Sequence, residues 1–315
     1  MQLPERATQP TMYFIGVTTT QSSIMTLFPR WAQAMGLTNA VLKGIDIGIH
    51  APAEDYRRCV EFIRDDPLSL GALVTTHKID LLNATRDLFD KLDPYAVAFN
   101  EISSIAKQDG KLVGAAKDPI SSGLAMEAFL PADYFATHGG EVLILGAGGS
   151  ALAISAYLAR RSRGANVPSR IVLTNRSQPR LDSARQILGA LDLACPFDYH
   201  LVPEPAQNDR ILAGLKPHSL VVNATGLGKD RPGSPLTDEG VFPQGGIAWE
   251  LNYRGALDFL HQAERQRESR ALQVEDGWIY FIHGWTQVIA EVFHIDIAPH
   301  FDTLERLAME LRNGK

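Results

Sequence analysis

The stretch EVLILGAGGSALAISAYLARR, residues 141–161, decides the fold. It begins with an apolar run without alternation, as expected of a strand buried on both faces, and ends in a segment typical of a helix. Between them, Gly146, Gly148 and Ala151 fit the G-x-G-x-x-G/A spacing, in which glycines allow a tight turn and the approach of a pyrophosphate. The sequence predicts a dinucleotide-binding loop formed by Gly146, Ala147, Gly148, Gly149, Ser150 and Ala151.

The segments around this loop continue the same pattern. Residues 118–130 have the pattern of a helix that enters the unit, and strands then alternate with helices. Such alternation indicates a parallel sheet covered by helices on both faces, so we predict a Rossmann-type, doubly wound domain over residues 121–275. Its further predicted elements are strands at 170–177, 219–225 and 246–253 and a helix at 181–191.

Residues 1–120 predict a second α/β domain, which makes the chain an α/β protein of two domains. Its apolar runs indicate several strands, and its amphipathic segments indicate helices between them. The first ten residues, MQLPERATQP, are expected to be disordered. The predicted elements are strands at 13–18, 40–49 and 70–76, helices at 27–37 and 54–66, and a hairpin at 102–116.

The end of the strand at 170–177 bears on the choice of cofactor. An NAD site usually has an acidic residue at this place, whereas an NADP site has a cation against the 2′-phosphate. The sequence there is LTNRSQPRLD, with Asn175, Arg176, Ser177 and Arg180 before the first acid, Asp182. Guanidinium groups suit phosphate, so the sequence favours NADP, with NAD and a solvated arginine pair as the alternatives.

Composition excludes several other functions. The chain has 315 residues, 45% of them hydrophobic and 21% charged, and a formal net charge of -6, which gives no support for nucleic-acid binding. Its only cysteines, Cys59 and Cys195, predict neither a disulfide framework nor a metal site. No apolar stretch approaches the length needed to span a membrane, and the start lacks the core of a signal peptide. We expect a cytoplasmic monomer or homodimer that binds no metal.

The stretch GALVTTHKID, residues 71–80, contains a candidate catalytic group. Lys78 follows a predicted strand, and Asp118 lies where the first domain gives way to the second. Cofactor and substrate often meet at such junctions, and a lysine near a carboxylate can exchange a proton with an alkoxide. On chemistry alone, a solvated lysine at a strand end is the favoured alternative, and His77 is expected at the surface.

The order of motifs resembles the shikimate/quinate dehydrogenase family over residues 13–295. GVTTTQSSIM stands at the place of the family's glycine-led strand and serine pair, and ALVTTHK (72–78) is similar to N-V-T-x-P-x-K. AFNEI (98–102) is similar to A-x-N-T, and AKDPISSG (116–123) to N-T-D-x-x-G. NRS and NATGLG follow at the places of N-R-T and N-A-T, and then WELNY and GWTQV resemble Y-D-x-x-Y and the family's glutamine helix.

The resemblance implies a role for each matched residue. Lys78 and Asp118 would be the catalytic pair at the hydroxyl that is oxidised. Asn100 and Gln287 would bind ring hydroxyls, and Tyr253 and Ser22 would lie at the substrate carboxylate. The N-A-T motif would add Asn223, Ala224, Thr225 and Gly226 to the cofactor site. The resemblance also implies a cleft between the two domains and a return of residues 276–315 to the first domain.

Several departures from the family pattern fall in the implied substrate pocket. Ile24 stands at the second carboxylate-binding hydroxyl, for which Ser23 could substitute only if the loop shifts. Ala72 and Thr76 replace asparagine and proline, and the threonine aligns with Val74 unless the register moves to Thr75. Ala116 and Lys117 replace Asn-Thr before Asp118, where Lys117 is either solvated or a cation near an acidic substrate. We therefore expect weak or absent turnover of shikimate.

Three functions stay open at this point. The first is an NADP-dependent dehydrogenase of a shikimate-like cyclic hydroxy acid, of the kind used in aromatic amino acid biosynthesis. The second is an NAD-dependent quinate or aminoshikimate enzyme. The third is a dinucleotide-binding protein without turnover, which the altered pocket supports and the presence of both Lys78 and Asp118 opposes.

Overall fold

The chain divides into two compact units. A computed structural model describes residues 1–229 and 231–314. The first unit contains Met1–Lys117 and Gly284–Lys315, and the second contains Asp118–His283. The sequence predicted boundaries at 120 and 275 instead.

Helices and strands are numbered here in chain order. Those from the start of the chain to Lys117 are β1 Thr11–Gly16, α1 Ile24–Ala34, β2 Val41–Asp46, α2 Ala53–Asp65, β3 Ser69–Val74, α3 Lys78–Thr85, β4 Lys91–Leu92, α4 Pro94–Phe99, β5 Ser104–Gln108 and β6 Lys111–Ala115. Those that follow are α5 Asp118–Glu127, α6 Tyr134–His138, β7 Val142–Leu145, α7 Gly149–Ala159, β8 Ile171–Asn175, α8 Gln178–Gly189, β9 Phe197–Leu201, α9 Pro205–Ala213, β10 Leu220–Asn223, β11 Ile247–Glu250, α10 Asp258–Glu264, β12 Gln273–Glu275, α11 Trp278–Phe293 and α12 Phe301–Arg312.

The first unit is built on a mixed six-stranded sheet in the order β2-β1-β3-β5-β6-β4. Strand β1 pairs in parallel with β2 and β3, and all six of its residues are buried, as expected of a central strand. Strands β5 and β6 form the predicted hairpin, and β5 pairs with β3 in antiparallel register. The register between β1 and β3 shifts by one residue before Gly71, which adopts φ +143°.

Both ends of the chain take part in the first unit. The first ten residues are ordered against it, so the expected disordered start is wrong. The N–H of Ala7 donates to the Asp66 carboxylate over 2.7 Å, and Met1 and Leu3 pack on the core. Near the other end, the indole N–H of Trp31 in α1 donates to the carbonyl oxygen of Leu304 in α12 over 2.8 Å. These contacts bury apolar groups while satisfying the polar ones.

The second unit is built on a six-stranded sheet in the order β12-β11-β10-β7-β8-β9. Each of its five strand pairs is parallel, which confirms the predicted α/β fold with a doubly wound sheet. Strand β7 is flanked by β8 on one side and β10 on the other, so the order of the sheet reverses there. Ligands of open α/β sheets bind at this switch point, beside the carboxyl ends of the strands.

Among the described residues, the structure has no helix that is both long and apolar enough to cross a membrane.

Gly71 gives a test of the first sheet. A Cβ at this position would lie 2.1 Å from the carbonyl oxygen of Ile105, and its φ is one that L side chains rarely adopt. We expect Gly71→Ala to lower the free energy of unfolding by about 3 kcal/mol or more, because clash and backbone strain add. Urea unfolding measures the change.

The matched control is Gly48→Ala, at an exposed glycine where an added Cβ would meet no described atom within 4 Å. It should stay within about 1 kcal/mol of the parent. Equal stability of the two variants would contradict the close approach of β3 to β5.

Candidate functional site

The glycine loop leads from β7 into α7 at the switch point of the second sheet. Gly146 adopts φ +123°, and a Cβ there would lie 2.7 Å from the carbonyl oxygen of Ala224. At Gly148 an added Cβ would meet no described atom within 4 Å, so space lies over the loop. The amino end of α7 has backbone N–H groups available for an anion. The hydroxyl groups of Ser150 and Tyr280 lie 3.1 Å apart beside it. Room and donors together fit a dinucleotide pyrophosphate.

The N-A-T segment follows β10, the neighbour of β7. The side-chain oxygen of Asn223 accepts hydrogen bonds from the N–H and the hydroxyl of Thr225, over 3.1 and 2.7 Å. The N–H of Ala224 donates to the carbonyl oxygen of Leu145 over 2.8 Å, which ties the segment to the end of β7. Gly226 follows with φ +73°. The predicted residues Asn223, Ala224, Thr225 and Gly226 thus lie beside the glycine loop in the second unit.

Glu250 is a buried acid that the sequence analysis did not select. It ends β11, and its carboxylate accepts hydrogen bonds from the side chain of Asn223, the N–H of Asn252 and the side chain of Asn252, over 2.7, 2.8 and 2.7 Å. Burial raises the pKa of Glu250 to about 7, although these three donors favour the charged form. The available signal was the acid in WELNY, at the place of the aspartate in Y-D-x-x-Y.

The residues predicted to select the cofactor follow β8. The side-chain oxygen of Asn175 accepts the N–H of Ser177 over 2.9 Å, which shapes the turn into α8. Arg176 and Arg180 are exposed near the start of that helix. Exposed guanidinium groups in this position can reach a 2′-phosphate, and they are equally able to remain solvated.

Lys78 is the first residue of α3 and is half-buried. The preceding Thr76 adopts φ +60°, which a β-branched residue rarely does and which proline cannot adopt. The departure from proline at this position therefore agrees with the local backbone. The N–H of Ile102 donates to the carbonyl oxygen of Lys78 over 3.3 Å, which brings the Asn100 segment alongside.

Asn100 lies in this same region of the first unit. Its side-chain oxygen accepts a hydrogen bond from Arg86 over 2.6 Å, and its amide donates to Asn83 over 2.8 Å. The left-handed backbone at Asn100, with φ +51°, ends α4 and turns the side chain toward α3. The sequence analysis predicted Asn100 but did not identify its two partners, Arg86 and Asn83.

His77 is buried, at 1% exposure, so the expectation of a surface histidine is wrong. The Tyr56 hydroxyl lies 3.2 Å from its Nδ1 atom. Burial lowers the pKa of His77, which favours the neutral ring at neutral pH. His77 therefore supports the amino end of α3 from within the core.

Three of the predicted substrate-binding residues lie at the carboxyl edge of the first sheet. Ser22 and Ser23 are half-buried in the loop between β1 and α1, and Thr75 is half-buried after β3. Since β1 and β3 are parallel neighbours, these residues follow strands that end at one edge. Ile24, at the place of the second hydroxyl, is fully buried in α1.

The remaining predicted residues lie on α5, on α11 and in the loop after β11. Asp118 is buried as the first residue of α5 in the second unit, and Gln287 is half-buried on α11 in the first. Tyr253 packs its ring against Trp278 and Phe281, with centroids 5.3 and 4.5 Å apart. The pairing of Lys78 with Asp118 joins residues of two units and stays a prediction.

Lys117 forms an ion pair with Glu291 within the first unit. Its ammonium lies 2.6 Å from the Glu291 carboxylate, and its side chain is 15% exposed, so the solvated lysine of the sequence analysis is wrong.

Within residues 1–229 and 231–314, no group of three or more histidine, cysteine or acidic side chains could hold a metal ion.

Known proteins with similar sequences are shikimate dehydrogenases. The NADP(+) enzyme of Lactococcus lactis is 27% identical over 189 residues, which cover 60% of this chain and 61% of that enzyme. The enzyme of Streptococcus thermophilus is 25% identical over 226 residues, or 71% of this chain and 73% of its own length. The chain thus matches about three fifths of the Lactococcus lactis enzyme's length. No protein-family model matches the chain.

Solved structures show the same fold. Shikimate 5-dehydrogenase from Listeria monocytogenes, in complex with shikimate and NAD, superposes with a TM-score of 0.70 at 18% identity, over 97% of this chain and 99% of that one. Quinate dehydrogenase from Corynebacterium glutamicum, in complex with NAD, gives a TM-score of 0.69 at 18% identity, over 95% and 99%. The chain therefore has the fold of these shikimate and quinate dehydrogenases. Within this fold, the glycine loop, the N-A-T segment and Glu250 share the switch point of the second sheet.

Glu250 predicts a pH dependence of stability. Its pKa in the folded protein, about 7, exceeds the ordinary value of 4.5. The proton that it holds therefore stabilises the fold fully below about pH 4.5, and this contribution is lost as pH rises through about 7. We expect the slope of unfolding free energy against pH, between pH 5 and 7, to be more negative in the parent than in Glu250→Gln. The difference should approach one proton, about 1.4 kcal/mol per pH unit.

Urea unfolding at several pH values measures both slopes. The exposed Glu239→Gln variant is the control and should keep the parent slope. A Glu250→Gln slope equal to the parent slope would show that the acid is ionised throughout this range.

Proposed function

We propose that this chain is an NADP-dependent dehydrogenase that transfers hydride reversibly between the cofactor and a shikimate-like cyclic hydroxy acid. The observation that carries the proposal is the glycine loop at the switch point, with Gly146 packed on Ala224 and space over Gly148. The names of the related enzymes, shikimate dehydrogenase (NADP(+)), support the reaction and the cofactor.

In this proposal, the first unit supplies most of the groups that bind the substrate. Ser22 and Ser23, with Thr75 at the same sheet edge, bind the ring carboxylate through hydroxyl groups. Asn100 and Gln287 bind ring hydroxyls through their amides. Tyr253, from the second unit, is assigned to the carboxylate. Among these groups, Asn100 has its amide oriented by Arg86 and Asn83.

The proposal assigns transfer of the proton of the oxidised hydroxyl to Lys78 and Asp118. NADP, which the loop of Gly146 and Gly148 would hold, would supply a hydride acceptor for the carbon that bears this hydroxyl. The hydroxyl proton must leave as the C=O bond forms, and the proposal assigns its acceptance and return to the Lys78 amine. The proposal assigns Asp118 to orient the same hydroxyl.

Substrate identity is proposed only to its class. Shikimate, quinate and aminoshikimate are all cyclic hydroxy acids, and the altered pocket predicts weaker turnover of shikimate than in an unaltered family member. The proposed enzyme is cytoplasmic and is a monomer or homodimer.

Replacing Lys78 tests the proposed chemistry. We expect Lys78→Ala to lower kcat by about 100-fold or more, the contribution of a general acid–base group, while NADP binding is retained. The assay follows NADPH absorbance with each of the three acids, and cofactor binding is measured by fluorescence. Lys111→Ala, at an exposed lysine of β6, is the control and should keep the parent rate. A near-normal rate in Lys78→Ala would contradict the assigned role.

The arginines after β8 test the choice of cofactor. Loss of a charged hydrogen bond to phosphate costs about 1.5–3 kcal/mol, so Arg176→Ala with Arg180→Ala should raise KM for NADP by about 10-fold or more. KM for NAD should stay within about threefold, since NAD lacks the 2′-phosphate. Arg161→Ala, at an exposed arginine elsewhere in this unit, is the control for loss of a surface arginine and should leave both KM values unchanged. An equal change for both cofactors would favour the NAD-dependent alternative.

A dinucleotide-binding protein without turnover is the second candidate. The fully buried Ile24, which replaces a hydroxyl, favours it because this position offers a substrate no polar group. Cofactor binding without hydride transfer to any of the three acids would support this candidate.

A further inference from the structure

Lys117 and Glu291 form a partly buried ion pair within the first unit. Lys117 follows β6, and its backbone N–H donates to the hydroxyl of the buried Ser103 over 2.8 Å, which fixes where its side chain starts. The ammonium lies 2.6 Å from the Glu291 carboxylate, with side chains 15% and 30% exposed. A pair so covered is less screened by solvent than a surface pair, and each charge neutralises the other.

The pair lies beside two residues of the proposed site. Glu291 follows Gln287 by four positions in α11, so their side chains share one face of the helix at about 5–6 Å between Cβ atoms. Gly284, three positions before Gln287, lies on this face too, and all three residues are half-buried. Lys117 immediately precedes Asp118 in the chain. The pair therefore borders the position assigned to a ring hydroxyl.

The chemistry of the pair selects a neutral polar group. A charged substrate group next to this pair would be attracted by one of the two side chains and repelled by the other. Because the pair has no net charge, such a group would gain little free energy. A hydroxyl can accept a hydrogen bond from the Lys117 ammonium and donate one to the Glu291 carboxylate. Both bonds are charge-assisted, the stronger class of hydrogen bond.

We propose that Lys117 and Glu291 form a specificity element that selects cyclic hydroxy acids with an additional ring hydroxyl. This inference rests on the proposed function and deepens it by naming a feature of the substrate. A neutral side chain in place of Lys117, such as the threonine of the family motif, would offer the hydroxyl only an uncharged partner.

The test compares two ring acids as probes. Quinate carries a ring hydroxyl that the unsaturated ring of shikimate lacks, and kcat/KM is measured for both. In the double variant Lys117→Thr with Glu291→Gln, the quinate-to-shikimate ratio of kcat/KM should fall by about 10-fold or more, as expected for lost hydrogen bonds to charged groups. A general disturbance of the structure would lower kcat/KM for quinate and shikimate together and leave their ratio unchanged.

Two further variants test whether the charges of the pair, and not another effect of the substitutions, set the ratio. Exchange of the charges, with Lys117→Glu and Glu291→Lys, keeps an ammonium and a carboxylate side by side and should retain the ratio within about threefold of the parent. Arg306→Gln breaks an exposed ion pair in α12 and is the control, with the parent ratio expected.

The outcomes separate this inference from the proposed function. A parent enzyme that turns over these acids, with an unchanged ratio in the double variant, overturns the inference alone. A parent protein that binds NADP but transfers hydride to neither ring overturns the proposed function, and the inference with it.

Discussion

The close approach of Gly146 to the carbonyl oxygen of Ala224 is the constraint on which the second unit depends. A Cβ at position 146 would lie 2.7 Å from that oxygen, so the loop after β7 and the segment after β10 can meet only because glycine stands there. The parallel pairing of β7 with β10 ends both strands at one edge. The same edge receives Asn223, whose side chain links Thr225 to the buried Glu250. This close approach thus brings the glycine loop, the amide of Asn223 and the acid Glu250 together.

Long apolar segments made most of the fold predictable from sequence. Strands β1, β3 and β7 are buried on both faces, and such runs bounded by glycine or polar residues are recognisable without a structure. Helix α3 was missed because it starts directly after the turn at Thr76, without a residue type typical of a helix start. Strand β9 was missed because its sequence, FDYHL, is polar enough to resemble a loop, as suits an edge strand.

The sequence motifs predict the residue types of the candidate site but not the surroundings of each residue. Motif spacing selected Asn100, yet its partners Arg86 and Asn83 come from α3 and the turn after it, which the sequence pattern did not reveal. His77 has a polar sequence neighbourhood, but the start of α3 turns its ring into the core against Tyr56. Glu250 looked like the end of a strand, and only the sheet shows that three donors surround it. Each of these properties depends on residues distant in sequence.

The departures from the family pattern differ in what they can do to a ligand. At most 1% of the surface is exposed at Ile24, Ala72 and Val74. These side chains can therefore influence a ligand only through packing. Thr76 is exposed, and its backbone takes a conformation closed to proline, so that change alters the shape of the turn before Lys78. Lys117 alone combines a half-buried position with a charge and a fixed partner. Of these changes, only Lys117 can therefore select a ligand by a direct hydrogen bond. The others alter the packing and the turn around it.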